Sequence, residues 1–160
     1  MHLAYVALGA NLADPVEQLR GALVALSRLA ESRLLRASSL YRTAPVGIHG
    51  QPDFINAVAR LETGLDAAAL LDALLAIEAT FGRRRAFDLA PRTLDLDLLL
   101  FDDDVIDTPR LSLPHPRMHL RAFVLAPLLE IAPNCAIPGR GHAAAWLPAV
   151  SMQPIEKLTA

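Results

Sequence analysis

The apolar positions of this chain fall into short strand-like runs divided by longer runs at helical spacing. Leu3-Ala4-Tyr5-Val6-Ala7-Leu8 is apolar throughout and leads into Gly9-Ala10-Asn11-Leu12, which predicts a buried strand closed by a turn. Asp14-Pro15 predicts a helix start, a capping carboxylate followed by proline at the first helical position. Val16, Leu19, Leu23, Leu26 and Ala30 then form one apolar face, with the helix expected to end near Ser32. Leu34 to Tyr41 is expected as a second strand. From Phe54 to Glu62 the residues alternate, which puts Phe54, Asn56, Val58, Arg60 and Glu62 on one face. Asp66 is placed to cap a second helix with the stripe Leu70, Leu71, Leu74, Ile77 and Phe81, and Gly82 to end it. Arg121 to Glu130 predicts a third helix.

The most informative run is Leu94-Asp95-Leu96-Asp97-Leu98-Leu99-Leu100-Phe101, bounded by Pro91 and by the acidic turn Asp102-Asp103-Asp104. Strict alternation predicts Leu94, Leu96, Leu98 and Leu100 on one face and Asp95 and Asp97 on the other, roughly 6.5 Å apart along the strand. Two carboxylates in so apolar a segment repel each other unless something positive compensates them. Arginines such as Arg92 can do so in a purely structural network, and so can one or two bound cations. The strand alone leaves both open.

Composition narrows the field. At 160 residues with 53% hydrophobic and 20% charged side chains, one globular domain is expected. A formal net charge of −2 makes no general electrostatic case for nucleic acid or an anionic membrane, so any anionic ligand must meet a local cluster of cations. Cys135, the single cysteine, fits a reducing compartment. With no signal-peptide pattern at the start and no apolar run near the ~20 residues of a membrane span, a cytoplasmic location is expected.

Arg83-Arg84-Arg85, Arg92 and Arg121 flank the carboxylates in sequence, with His115 in a proline-rigid segment, Leu113-Pro114-His115-Pro116-Arg117. A helix end with three arginines has a structural role available, since cations suit its dipole. Thr43 to Pro52 is a glycine- and proline-rich loop of the length that is usually functional. Gly9 lacks the further glycines or the Gly-Lys pair of a phosphate loop, which leaves its turn a structural role with backbone contact to a ligand. Carboxylates without nitrogen or sulfur partners favour a hard cation, most naturally Mg²⁺ shared with phosphate, and arginines answer phosphate oxygens. The combination points to a magnesium–nucleotide site for phosphoryl transfer. Ala136 to Ala160 offers no chemistry, and Trp146 is expected to pack.

These residues resemble a known family. Gly9-Ala10-Asn11-Leu12, Ser38 through Gly47, Gln51 through Ala57, Glu78 with Gly82-Arg83-Arg84-Arg85, Pro91 through Asp97, and Leu113 through Arg117 with Arg121 through Leu125 are similar, in order, to the 6-hydroxymethyl-7,8-dihydropterin pyrophosphokinases of folate biosynthesis. Pro91-Arg92-Thr93-Leu94-Asp95-Leu96-Asp97 is the most specific of them. The resemblance implies an α/β (α+β) fold, a single domain over residues 1–160 with a ferredoxin-like, antiparallel-dominated sheet flanked by helices. It implies transfer of the pyrophosphoryl group of ATP to the pterin hydroxymethyl oxygen, releasing AMP, with two Mg²⁺ ions on Asp95 and Asp97.

Arg83, Arg92 and Asp97 would be the catalytic residues. Glu78, Arg83, Arg85, Arg92, Leu98, Arg110, Ser112, His115 and Arg121 would lie on the ATP side. Thr43, Ala44, Val46, Phe54, Asn56, Asp95 and Phe123 would take the pterin, with the two phenylalanines sandwiching its ring and Asn56 reading its polar edge. No nucleic-acid or membrane partner is expected, and a monomer is. Two rivals stay open at this level: another magnesium-dependent enzyme, such as a nuclease or an ADP-releasing kinase, and a non-catalytic nucleotide- or pterin-binding module.

Overall fold

The computed structural model describes residues 1–12, 14–44, 52–81 and 94–159. Gly82, Arg83, Arg84, Arg85, Val46 and Arg92 therefore lie outside the described residues. Strand β1 (His2–Ala10) leads to helix α1 (Pro15–Ser27), then β2 (Ser32–Ala37), β3 (Tyr41–Thr43), β4 (Phe54–Thr63), helix α2 (Ala67–Thr80) and β5 (Asp95–Phe101). A short pair, β6 (Ile106–Asp107) and β7 (Ser112–Leu113), precedes a 3₁₀ turn at Met118–Leu120 and helix α3 (Ala122–Ile131). The chain closes with β8 (Ala136–Ile137), β9 (Gly141–His142), a 3₁₀ segment Ala143–Val150 and β10 (Ile155–Lys157).

The main sheet runs β10-β3-β4-β1-β5, with β2 also on β4, and every pairing is antiparallel. Reduced to β2-β4-β1-β5 with α1 and α2 as crossovers, this is the ferredoxin-like double split βαβ. Because side chains alternate, the sheet has two differently covered faces. Val6, Leu8, Ala57, Ala59, Leu61, Leu96 and Leu98 pack under Leu19 and Leu26 of α1 and Leu70, Leu74 and Ile77 of α2. Tyr5, Val58, Leu99 and Leu100 pack under Leu125 and Leu128 of α3. Phe54 and Asn56 share the α3 face, as the alternation predicts, but lie beyond the helix.

Several boundaries differ from the sequence expectation. Helix α1 ends at Ser27, where the Arg28 amide turns back to the carbonyl of Ala25 and the Leu29 amide to that of Leu26. Ser32 begins β2 instead of closing the helix, its hydroxyl 2.6 Å from that of Thr63. Asp14 is left-handed (φ 59°) with no side-chain capping bond, so Pro15 alone marks that start, whereas Asp66 does cap α2 by accepting from the Ala69 amide. The expected strand from Leu34 to Tyr41 is two strands, parted where Ser38 bonds Val58 through both its amide and its hydroxyl. Gly9 lies within β1 and not in a turn.

The leucine alternation in β5 also breaks. Tyr5 faces Leu100 while Val6 faces Leu98, so Leu99 is a bulge residue with no partner of its own in the register. Leu94, Leu96 and Leu98 lie under α1 and α2, but Leu99 and Leu100 both turn toward α3 and Phe101 turns back. Asp95 and Asp97 precede the bulge and keep their common face.

Candidate active site

Beyond the end of α3, the same sheet face opens into a cavity of about 660 Å³. Its floor is made by the central strand and its two neighbours. Gly9 stands opposite Asn56 on one side and Asp95 on the other, and Ala7 stands opposite Val58 and Asp97. Small residues in the middle strand leave the depth, and the flanking strands supply the polar groups. A methyl group on Gly9 would come within 3.0 Å of Asn56 Nδ2, so glycine here makes room for the amide.

Asn56 is 6% exposed and therefore needs partners for its amide. Thr43, also buried, donates its hydroxyl hydrogen to Asn56 Oδ1 at 2.9 Å. That bond sets which end of the carboxamide is the acceptor and turns Nδ2 toward Gly9. Ala44 and Phe54 continue this wall.

The opposite wall comes from the segment after β7. The His115 amide donates to the Leu99 carbonyl at 2.9 Å, tying the loop to β5 at the bulge. The Arg117 amide donates to His115 Nδ1 at 3.2 Å, which leaves the neutral ring with its proton on Nε2. Burial lowers the His115 pKa, Arg121 and Arg117 add to this, and the Asp97 charge opposes them. Leu120, Arg121, Ala122, Phe123 and Val124, at the start of α3, complete the wall, with the Arg121 guanidinium 5.3 Å from the centre of the Phe123 ring.

Of the residues singled out from the sequence, Thr43, Ala44, Phe54, Asn56, Asp95, Asp97, His115, Arg121 and Phe123 line this one cavity. Four others stand elsewhere. Glu78, 3% exposed, reaches from α2 to the outer edge of β5 and accepts from the Leu96 amide at 2.7 Å, holding the strand between its two carboxylates. Leu98 is in the core under α1 and α2. Arg110 pairs with Asp72 on α2, and Ser112 pairs with Asp107 in the β6–β7 ribbon. Val46, Arg83, Arg85 and Arg92 lie outside the described residues.

The cavity also holds residues that the sequence reading passed over: Arg117, Leu120, Gln153 and Pro154. Arg117 was visible as the last residue of the rigid Pro-His-Pro-Arg segment. Gln153 and Pro154 follow the 3₁₀ segment in a stretch with no periodicity or motif. Trp146 packs as expected, edge-on to buried His119 at 4.7 Å, and its Nε1 donates to the Arg140 carbonyl. Among the described residues no helix is long and apolar enough to cross a membrane.

A cavity with a buried amide, two aromatic rings, a carboxylate pair and cations beyond it is that of a ligand-binding α/β enzyme. Residues 5–133 match the family model for 7,8-dihydro-6-hydroxymethylpterin-pyrophosphokinase. The chain is 50% identical over 154 residues to the 2-amino-4-hydroxy-6-hydroxymethyldihydropteridine pyrophosphokinase of Pseudomonas aeruginosa, covering 96% of this chain and 95% of that one. It is 49% identical over 138 residues to the enzyme of the same name from Haemophilus influenzae, covering 86% of each. A solved HPPK-DHPS structure in complex with substrates superposes with a TM-score of 0.73 at 12% identity over 92% of this chain. The wild-type Plasmodium falciparum HPPK-DHPS with pteroate gives 0.75 at 14% identity. The chain spans 43% and 42% of those two chains, and at such identities the likeness concerns the fold. The chain belongs to the 7,8-dihydro-6-hydroxymethylpterin-pyrophosphokinase family, enzymes of folate biosynthesis that use ATP as co-substrate.

Proposed function

We propose that residues 1–160 act as one pyrophosphokinase unit that transfers the β,γ-pyrophosphoryl group of ATP to the hydroxymethyl oxygen of 6-hydroxymethyl-7,8-dihydropterin, releasing AMP. The observation that carries this reading is the row Asn56–Gly9–Asp95 across three strands. An amide that can read a heterocycle edge stands there with one strand between it and the first of two carboxylates. Acceptor and phosphate chain are thereby brought to one floor, which favours attack by proximity.

On this reading Phe54 and Phe123 hold the pterin ring between their faces, and Asn56, oriented by Thr43, bonds its polar edge. Thr43 and Ala44 line that end, and Val46 would add to the pterin contacts. Asp95 and Asp97 present only oxygen donors from one strand face, a donor set that fits Mg²⁺ shared with phosphate, and they would hold two such ions. When bound, these ions neutralise the triphosphate and lower the pKa of the acceptor hydroxyl. His115 offers its Nε2 proton to the nucleotide side together with the Arg121 guanidinium, and Arg117 adds a further cation at the rim. Arg83, Arg85 and Arg92 supply the remaining charge stabilisation, with Arg83 and Arg92 at the transferred group. Ser112 and Arg110 would serve the nucleotide side, Arg110 after exchanging Asp72 for the ligand, while Leu98, whose side chain is in the core, has only its backbone to offer there. Glu78 serves that side by fixing the Leu96 amide between the two carboxylates. The unit works as a monomer in the cytoplasm.

Asp97→Asn tests this directly. Turnover is expected to fall by about 10³-fold or more, as when one charge-stabilising group is removed from a phosphoryl-transfer site. Pterin affinity, measured by fluorescence titration, stays within about threefold, because the ring is held by groups away from that carboxylate. Undiminished turnover would overturn the metal assignment.

A further inference from the structure

Helix α3 begins at Ala122, and its preceding residue, Arg121, makes no side-chain capping bond. The first amides of a helix have no partner within it. Here the Ala122 amide donates to Gln153 Oε1 at 2.9 Å, and Gln153 Nε2 donates to the Leu120 carbonyl at 2.9 Å. One carboxamide therefore grips both sides of Arg121, although it lies 31 residues beyond Ala122 along the chain. Its own amide is fixed by the Val150 carbonyl. Pro154 follows it in the cavity wall, and β10 then pairs Ile155 with Thr43, the residue that orients Asn56.

We infer that Gln153 is a positioning residue for the pterin site: it caps α3 through space and sets where Arg121 and Phe123 stand relative to the Thr43–Asn56 wall. It lies beyond the span matched by the family model. Surface glutamines ordinarily spend their amides on water, whereas this exposed side chain spends both ends on backbone groups of the joint that carries the site. The inference rests on the cavity being the pterin and nucleotide site.

The test uses the whole chain, with 6-hydroxymethylpterin as a fluorescent probe in the presence of Mg²⁺ and a non-hydrolysable ATP analogue, alongside steady-state kinetics. Gln153→Ala is expected to raise the pterin Kd and KM about fivefold or more, equivalent to one lost hydrogen bond of ordinary strength. Its kcat stays within about twofold. Its Tm falls by no more than about 8 °C, as the loss of the two bonds of one surface carboxamide allows in a chain of this size. Gln153→Glu, which keeps the acceptor for the Ala122 amide, recovers at least half of the lost affinity. An unchanged Kd in Gln153→Ala would overturn the inference. So would a fall in kcat at constant KM, which marks a loss of folded protein only, and so would a Gln153→Glu variant no better than alanine. Wild type that fails to bind the pterin overturns the site reading and this inference together; wild type that binds no better than Gln153→Ala overturns the inference alone.

Discussion

Thr43 donates its hydroxyl hydrogen to Asn56 Oδ1 at 2.9 Å, and both side chains are buried at the floor of the cavity. The bond joins the ends of two neighbouring strands, since Thr43 stands opposite Phe54 and Tyr41 opposite Asn56. It fixes the polarity of the amide that we propose reads the edge of the pterin. A pterin, which presents donors and acceptors in a set order, needs that polarity fixed.

Thr43→Val keeps the side chain's shape and removes the donor. Stability is expected to drop by about 1–3 kcal/mol, the cost of leaving a buried acceptor unsatisfied. Pterin affinity should fall about tenfold, as a site loses a preset hydrogen bond. Urea denaturation and fluorescence titration read the two effects. Retained affinity with lowered stability would show that Asn56 holds its orientation by other means.

Glu78 gives a stability prediction that reaches the site through the edge of β5. Its buried carboxylate accepts from the Leu96 amide, between Asp95 and Asp97. Glu78→Ala should cost about 1.5–3 kcal/mol, the range for a hydrogen bond to a charged group. Glu78→Gln keeps an acceptor and should recover most of it. Equal stability of the two variants would show that the bond to Leu96 contributes nothing.

Glu130 sets an acid limit. Burial pushes its pKa up, but the Tyr41 hydroxyl, the amide and hydroxyl of Ser39 and the charge of Lys157 outweigh this and hold it below the usual carboxylate range. Its oxygens accept from Tyr41 at 2.6 Å and from Ser39 at 2.9 to 3.1 Å, fastening α3 to the β2–β3 junction. A depressed folded pKa means stability present above the unfolded value, about 4.3, and lost as pH falls through the folded one. Between pH 5 and pH 3 the wild type should therefore lose more stability than Glu130→Gln, measured by urea midpoints. Parallel losses would remove Glu130 from the account.

Much of this was legible because side-chain period equals structure period. The alternation from Phe54 to Glu62 correctly set Asn56 and Phe54 on a different face from Ile55 and Ala57. The Asp95/Asp97 pair was legible for the same reason. Leu100 was not: a bulge at Leu99 inverts the phase, and nothing in a run of three leucines marks where the extra residue falls. Asp14 had the composition of a cap and not the bond, because capping depends on a backbone angle that composition does not set. Gln153 was invisible for a third reason, since a cap supplied from 31 residues away has no local pattern. Local periodicity reports faces; contacts made through space need coordinates.

The most direct measurement is to incubate the protein with ATP, Mg²⁺ and 6-hydroxymethyl-7,8-dihydropterin and to separate the nucleotides. The account predicts AMP appearing in step with a pterin diphosphate, and neither without magnesium. ADP in place of AMP would contradict attack at the β phosphorus, and bound pterin with no nucleotide turnover would reduce the cavity to a binding site.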